Sequence, residues 1–188
     1  MANGFGFKKR YRGSSLGQVQ SRERLSEMEF YFPLQRLGAD ALGRLLSRHV
    51  GLAGMTEPPA HLERLRFEPL EGYMKGFIDL VFRCNNRFYI VDWKSNYLGA
   101  SLEDYGAEGL RKAVADNFYN LQYTLYTLAL HQYLRSRLAD YSYASHFGEV
   151  FYVFLRGVDP LAGPAYGIYR DRPEEASIEA LSTALIGG

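Results

Sequence analysis

The sequence predicts an α/β (α+β) fold in which a central mixed β-sheet is flanked by helices. Three patterns support this prediction. Residues 72–99 alternate as two strands joined by a tight turn, residues 110–138 repeat apolar side chains at helical spacing, and residues 150–155 form the continuous apolar run of a buried strand. The chain of 188 residues is long enough for one domain with a sizeable core.

The charge, the cysteine content and the lengths of the apolar stretches limit the classes of protein to which the chain can belong. The net charge is +1, so a contact with nucleic acid has to come from local patches rather than from an overall basic field. Cys84 is the single cysteine, which excludes an internal disulfide framework and suits a reducing cytoplasm. No stretch is long and apolar enough to span a membrane or to serve as a signal core, so we expect no membrane partner.

The N-terminal part of the chain is expected to differ from the rest. Residues 1–20 contain several glycines around a basic run, which predicts a flexible leader, and residues 21–188 are expected to form the domain. Residues 27–32 alternate as a strand and place Glu27 and Glu29 on one face. Residues 39–49 then have the spacing of a helix.

The strand pair in residues 72–99 brings two acids together. Asn85 and Asn86 tolerate the positive φ of a two-residue hairpin loop, and that loop length places Asp79 directly opposite Asp92. Lys94 shares the face of Asp92 because strand side chains repeat every two residues. A three-residue loop would shift the register and remove the opposition.

Opposed carboxylates repel each other, so this pair needs compensation. A divalent cation would supply it, because hard cations such as Mg²⁺ prefer carboxylate oxygens and often use only one or two of them together with phosphate and water. Two acids and a lysine at one place on a sheet suit metal-assisted phosphodiester hydrolysis, in which the ammonium orients water or steadies developing charge. The alternative is a solvated acidic pair beside a surface lysine, but Asp79 and Asp92 interrupt apolar runs where unpaired polar groups are costly.

The helical stretch 110–138 is predicted to be interrupted near residues 116–117. Tyr119, Gln122 and Tyr126 lie on one stripe, where they could hold a DNA backbone or stack an unpaired base; by pattern alone, a stripe that borders the core explains them better. Arg156 follows the buried strand and could reach a phosphate, although a surface ion pair is more common for such residues.

His146 is expected in a loop before that strand, and the closing helix is expected over residues 174–186, with Ile178, Leu181 and Leu185 on one side. His131 lies five residues after Tyr126 and is expected on another face of its helix.

Several segments of the chain resemble one known family. The ordered segments are residues 76–81, 90–96, 121–123, 125–126, 129–131, 154–159 and 167–169. Together they resemble the C-terminal nuclease domain of the RecB family, the β subunit of exodeoxyribonuclease V. The resemblance implies a restriction-endonuclease-like PD-(D/E)xK core and a Mg²⁺-dependent exo- and endonuclease. It also implies that single strands from unwound duplex are the substrate, that RecC and RecD are partners in double-strand-break repair, and that the enzyme works in the bacterial cytoplasm.

The resemblance also implies roles at the site. Asp79, Asp92 and the backbone carbonyl of Trp93 would bind the metal, and Lys94 would assist the attacking water. In the family a glutamine and a tyrosine four residues apart flank the catalytic centre, which here are Gln122 and Tyr126.

The family also places an acidic residue in the strand near the start of the domain. Either Glu27 or Glu29 would take this supporting role, and the spacing does not choose between them.

One departure from the family opens alternatives. The family has a metal-binding histidine upstream of the first strand, whereas this sequence has no histidine before His49 and no phosphate-binding loop of a helicase motor. We expect the chain to be a C-terminal piece of a larger helicase-nuclease subunit. The alternatives are a nuclease-like module that docks or binds DNA without catalysis, and a related stand-alone nuclease.

Overall fold

The structure is a computed structural model and describes residues 16–35, 44–45, 48–50 and 72–187. The strands are β1 (Arg24–Leu34), β2 (Gly72–Cys84), β3 (Arg87–Lys94), β4 (Phe147–Phe154) and β5 (Ile168–Asp171). The helices are α1 (Ala107–Asp116), α2 (Tyr119–Arg137), the short α3 (Tyr143–His146) and α4 (Glu175–Leu185).

The strands form one five-stranded sheet in the order β1-β2-β3-β4-β5. β2 and β3 are antiparallel, β3 and β4 are parallel, and β4 and β5 are antiparallel. A parallel pair needs a long crossover, and the chain from 95 to 146 supplies it with α1, α2 and α3. The predicted α/β fold with a mixed sheet is confirmed.

The β2–β3 hairpin forms as predicted. Asn85 and Asn86 have φ values of 50° and 62°, the left-handed conformation that a two-residue loop of this kind requires. The register runs from Cys84 opposite Arg87 to Leu80 opposite Val91, as the two-residue loop predicts.

The region around β4 is partly as predicted. β4 is buried at every residue except Glu149 and lies between β3 and β5, so it is the expected internal strand. β5 was not predicted, because four residues are too few to show a pattern.

The prediction that His146 lies in a loop is wrong. His146 is the last residue of α3, a short helix that forms because Ser142 Oγ accepts a hydrogen bond from the Ser145 N–H.

The predicted interruption of the long helix is confirmed between α1 and α2. Asn117 Nδ2 donates to the Ala113 carbonyl, and Phe118 has a φ of 54°, which ends the regular helical path.

The predicted closing helix is confirmed as α4, in which Ile178, Leu181 and Leu185 are buried. Within the parts of the chain that are described, no helix is long and apolar enough to cross a membrane.

The first strand is also confirmed. Met28 and Phe30 are buried, whereas Glu27 and Glu29 are exposed, which is the alternation expected of a strand with one covered face. Of the predicted helix over residues 39–49, residues 44–45 and 48–49 are helical and the others lie outside the described residues. Most of the predicted leader, residues 1–15, also lies outside them.

The chain divides into two compact units. Of the described residues, the first contains 16–28, 77–119 and 141–172, and the second contains 29–35, 44–45, 48–50, 72–76, 120–140 and 173–187. In the first unit, one apolar cluster joins β2, β3 and β4, and its buried members are Leu80, Phe82, Tyr89, Val91, Phe151 and Val153.

Cys84 packs against this cluster, and burial raises the pKa of the Cys84 thiol. A thiol with a raised pKa is a poor nucleophile, so Cys84 is better explained as a residue that fills apolar space.

In the second unit, α2 meets α4 through polar contacts. Gln132 donates to the hydroxyl of Ser182, and His131 Nε2 lies 3.3 Å from Glu179 Oε1. His131 is 1% exposed, and burial lowers its pKa despite the opposing effect of Glu179. Arg135 lowers the pKa further and Glu175 raises it slightly. The imidazole is therefore favoured in its neutral form.

We expect the protein to lose stability in mild acid through His131. Because the folded pKa is lowered, the contribution of the neutral ring is complete above the ordinary pKa of 6.5 and is lost as the pH falls below it. Urea unfolding over this pH range should show a steeper fall in the free energy of unfolding for the parent chain than for His131→Gln. Equal pH slopes for the two proteins would contradict this assignment.

Candidate active site

The two predicted acids lie at the end of the described β2–β3 ladder. That ladder ends at Leu80 and Val91, and the next position in the same register holds Asp79 and Asp92. Asp79 Oδ2 accepts a hydrogen bond of 2.9 Å from the backbone N–H of Trp93. This bond fixes one carboxylate beside the strand that carries the other.

Asp92 is a buried acid in an unusual electrostatic setting. It is 4% exposed, and burial is the main reason why its pKa is raised. The nearby charge of Asp79 raises the pKa further, whereas the hydrogen bond and the positive charge of Lys94 lower it. The ionised form of Asp92 is therefore costly in this place and would be favoured by additional positive charge.

Lys94 supplies the first positive charge. Its Nζ lies 2.7 Å from Asp92 Oδ2, and both side chains are largely buried. The same Nζ lies 4.0 Å from the ring centroid of Tyr119 and 4.8 Å from that of Tyr152. The predicted convergence of Asp92 and Lys94 on one face is thus present.

The donor set fits a hard divalent cation. Asp79 and Asp92 offer carboxylate oxygens, and Mg²⁺ is commonly bound through one or two carboxylates that leave positions for water and phosphate. Across the described ranges, no group of three or more His, Cys, Asp or Glu side chains is placed to hold a metal ion. The role of the Trp93 carbonyl as a further ligand stays a prediction.

Glu27 and Glu29 have different surroundings. Glu29 forms an ion pair with Lys75, and both side chains are more than half exposed. Glu27 has a φ of 53° within β1, a conformation that costs about 1–2 kcal/mol for a residue with a Cβ atom. Such strain is often retained where a side chain has a function, which distinguishes Glu27 from Glu29.

Gln122 and Tyr126 share a face of α2, as their spacing predicts. Gln122 Nε2 donates a hydrogen bond of 2.9 Å to the hydroxyl of Tyr126. The Tyr126 ring meets Phe30 edge-on, with centroids 5.8 Å apart. This contact fixes the ring, and the expected role of the pair beside the catalytic centre stays a prediction.

Two residues predicted to contact DNA are bonded to the segment that follows Lys94. The Tyr119 hydroxyl donates to Asn96 Oδ1 at 2.9 Å, and Arg156 Nε donates to the Ser95 carbonyl at 3.1 Å. Both contacts tie this segment to neighbouring elements. The DNA contacts of Tyr119 and Arg156 stay predictions.

Tyr152 was not singled out by sequence reasoning. It lies within the apolar run of β4 and resembles a core residue there. Only the parallel register, which pairs Tyr152 with Asp92, brings its ring to the site. A pairing between strands more than fifty residues apart leaves no local signal in the sequence.

Comparison with known proteins identifies the family of the chain. The family model of the PD-(D/E)XK nuclease superfamily matches residues 16–184. The chain is 45% identical over 177 residues to the RecBCD enzyme subunit RecB of Escherichia coli (strain K12), with 94% of this chain covered. It is 40% identical to the RecB subunit of Haemophilus influenzae and 37% identical to that of Mycobacterium tuberculosis (strain H37Rv), with 90% and 93% of this chain covered.

These matches cover 14%, 13% and 18% of the three relatives, so the chain spans less than a fifth of their length. The similarity to RecB that the sequence motifs indicate is confirmed. Because the superfamily match covers nearly the whole chain, the chain belongs to the PD-(D/E)XK nuclease superfamily.

Proposed function

We propose that this chain is a Mg²⁺-dependent deoxyribonuclease domain of a RecBCD-type helicase-nuclease. In this proposal it hydrolyses phosphodiester bonds of the single strands that unwinding produces at a double-strand break. The observation that carries the proposal is the meeting of Asp79, Asp92 and Lys94 at the end of one hairpin, in a chain that belongs to a nuclease superfamily.

Each of these residues has a chemical task in the proposal. Asp79 and Asp92 would hold the metal ion. When bound, such an ion supplies Lewis-acid polarisation of the scissile phosphate. Lys94 would orient the attacking water and stabilise the negative charge that develops on the phosphate oxygens.

The proposed partners follow from the names of the relatives. They are subunits of RecBCD enzymes, so we propose RecC and RecD as partners and single-stranded DNA as the substrate, in the bacterial cytoplasm. Gln122, Tyr126 and Arg156 are proposed to position the strand, because tyrosine rings can stack on bases and guanidinium groups bind phosphates.

The direct test of this function is cleavage of a linear, end-labelled single strand by the chain. We expect cleavage with Mg²⁺, none with EDTA, and recovery when Mg²⁺ is restored. A nuclease that is equally active in EDTA would contradict the proposal. A chain that is silent with Mg²⁺ and with Mn²⁺, and remains silent when a segment with the upstream histidine of the family is supplied, would also contradict it.

A second candidate is a nuclease-like module that binds DNA without cutting it. The observation in its favour is that no third His, Cys, Asp or Glu side chain of the described residues joins Asp79 and Asp92 in a group that could hold a metal ion. A set of two carboxylates holds a metal less tightly than a set with a third side-chain ligand. This candidate predicts DNA binding that is independent of metal and survives both Asp79→Ala and Asp92→Ala.

We expect Glu27, rather than Glu29, to support the site. Glu27→Gln should lower the cleavage rate about tenfold, as is usual when a group that supports a metal ligand is lost. Glu29→Gln, the matched control, should change it little because the Glu29–Lys75 pair is exposed. The opposite ranking of the two variants in the same cleavage assay would transfer the role to Glu29.

A further inference from the structure

The ammonium group of Lys94 lies against two tyrosine rings. The ring centroids of Tyr119 and Tyr152 are 4.0 Å and 4.8 Å from Nζ, and the centroids are 5.5 Å from each other at an interplanar angle of 43°. Asp92 Oδ2 approaches the same nitrogen at 2.7 Å. The ammonium is therefore bounded by one carboxylate and two aromatic faces.

Both rings are fixed in place by other contacts. Tyr152 is 0% exposed and is the parallel partner of Asp92 in the β3–β4 ladder. Tyr119 begins α2, is half-buried, and donates its hydroxyl proton to Asn96, two residues after Lys94. The Tyr152 ring is thus held by the strand next to Asp92, and the Tyr119 ring by the segment that follows Lys94.

This arrangement differs from the other contacts between cations and rings in the described residues. Arg83, Arg137 and Arg172 lie 5.8 Å, 5.6 Å and 5.3 Å from the rings of Phe88, Tyr133 and Tyr143, and all three arginines are exposed. Attraction between a cation and a ring is much stronger for a desolvated cation at short distance. Lys94 meets both conditions.

Burial of a lysine removes water from its ammonium group, which is unfavourable. The quadrupole of each aromatic ring attracts the positive charge and replaces part of the lost hydration. A ring face takes up little of the directional hydrogen bonding of the ammonium, so it does not compete with the contact between Lys94 and Asp92. A lysine held only by a carboxylate would keep more of its rotamers.

We propose that Tyr119 and Tyr152 are positioning residues that hold the Lys94 ammonium at Asp92 for catalysis. The effect that we expect on the catalytic rate rests on the proposed nuclease function. The position of the Lys94 ammonium between the rings and Asp92 can be tested without it. In this proposal Tyr119 positions Lys94 rather than contacting DNA. Loss of the first role lowers kcat, whereas loss of the second lowers the affinity for DNA.

The structural part is tested by NMR of lysine side chains. The chain has five lysines, and selective ¹³C labelling would resolve their Cε–Hε signals, with Lys94→Arg identifying the signal of Lys94. Ring currents should shift the Lys94 signals upfield of those of Lys75 and Lys112, which are exposed. Tyr119→Leu should remove much of this shift, and Tyr119→Phe, which keeps the ring but not the hydroxyl, should retain it.

The functional part is tested by kinetics of the same variants. Tyr119→Leu should lower kcat about tenfold while the affinity for a phosphorothioate-substituted single strand stays the same. Tyr119→Phe should recover most of that loss. Tyr133→Leu, the same change at an exposed tyrosine on the same helix, should leave kcat unaltered.

The outcomes separate this inference from the proposed function. An upfield Lys94 signal that depends on the Tyr119 ring supports the inference even if the chain cuts no DNA. Lys94 signals that resemble those of the exposed lysines, or that are unmoved in Tyr119→Leu, would overturn it even if the chain is an active nuclease. A loss of DNA affinity with unchanged kcat in Tyr119→Leu would overturn it in favour of a DNA contact.

Discussion

Asp92→Asn is expected to lower the rate of DNA cleavage by about a thousandfold, since a metal-assisted transition state loses several kcal/mol of charge stabilisation with this carboxylate. The asparagine keeps the size of the side chain, so the apolar surroundings of residue 92 are preserved. The loss should appear in single-turnover cleavage at saturating Mg²⁺ and should not be recovered by adding more metal.

The chain offers a matched control for this variant. Asp116 forms an ion pair with Lys112 on the surface of α1, and both side chains are more than half exposed. Asp116→Asn therefore removes an aspartate paired with a lysine without touching the site, and it should leave the rate unchanged. Comparable rates for Asp92→Asn and Asp116→Asn would exclude Asp92 from catalysis.

Lys94→Ala is expected to lower the cleavage rate by about a hundredfold or more, because it removes a preorganised positive charge from a largely buried position. The apparent affinity for Mg²⁺ should not fall, since the lysine neutralises Asp92 rather than binding metal. Rates measured across a Mg²⁺ titration separate these two quantities.

Lys112→Ala serves as the control for the lysine, and its effect should be within the error of the assay. Lys94→Arg should recover little, because a planar guanidinium does not match the contacts that the compact ammonium makes with Asp92 and Tyr119. An active Lys94→Ala variant would show that the ammonium has no part in the reaction.

The hairpin could be predicted from sequence because its determinants are local. Asn85 and Asn86 specify the loop, the loop specifies the register, and the register specifies which residue faces Asp79. The break between α1 and α2 is local in the same sense, since Asn117 and Phe118 end one helix through their own backbone conformations and contacts.

The remaining features depend on pairings that are distant in the chain. β5 is defined by its contact with β4, from Val150 opposite Asp171 to Val153 opposite Ile168, and its four residues carry no periodicity of their own. Tyr152 reaches Lys94 only through the parallel β3–β4 register. Our expectation that Glu27 rather than Glu29 supports the site likewise rests on the backbone conformation of one and the ion pair of the other, which the sequence does not show.

Asp79 and Asp92 are proposed to form one metal site, and paramagnetic broadening by Mn²⁺ is the sharpest test of this proposal. Even weak binding broadens backbone amide signals near the ion, so the measurement does not require a tight site. We expect the amides around Asp79 and those of Asp92, Trp93 and Lys94 to broaden first, and this pattern to disappear in Asp92→Asn. First broadening at other acidic residues, or an unchanged pattern in Asp92→Asn, would contradict the account.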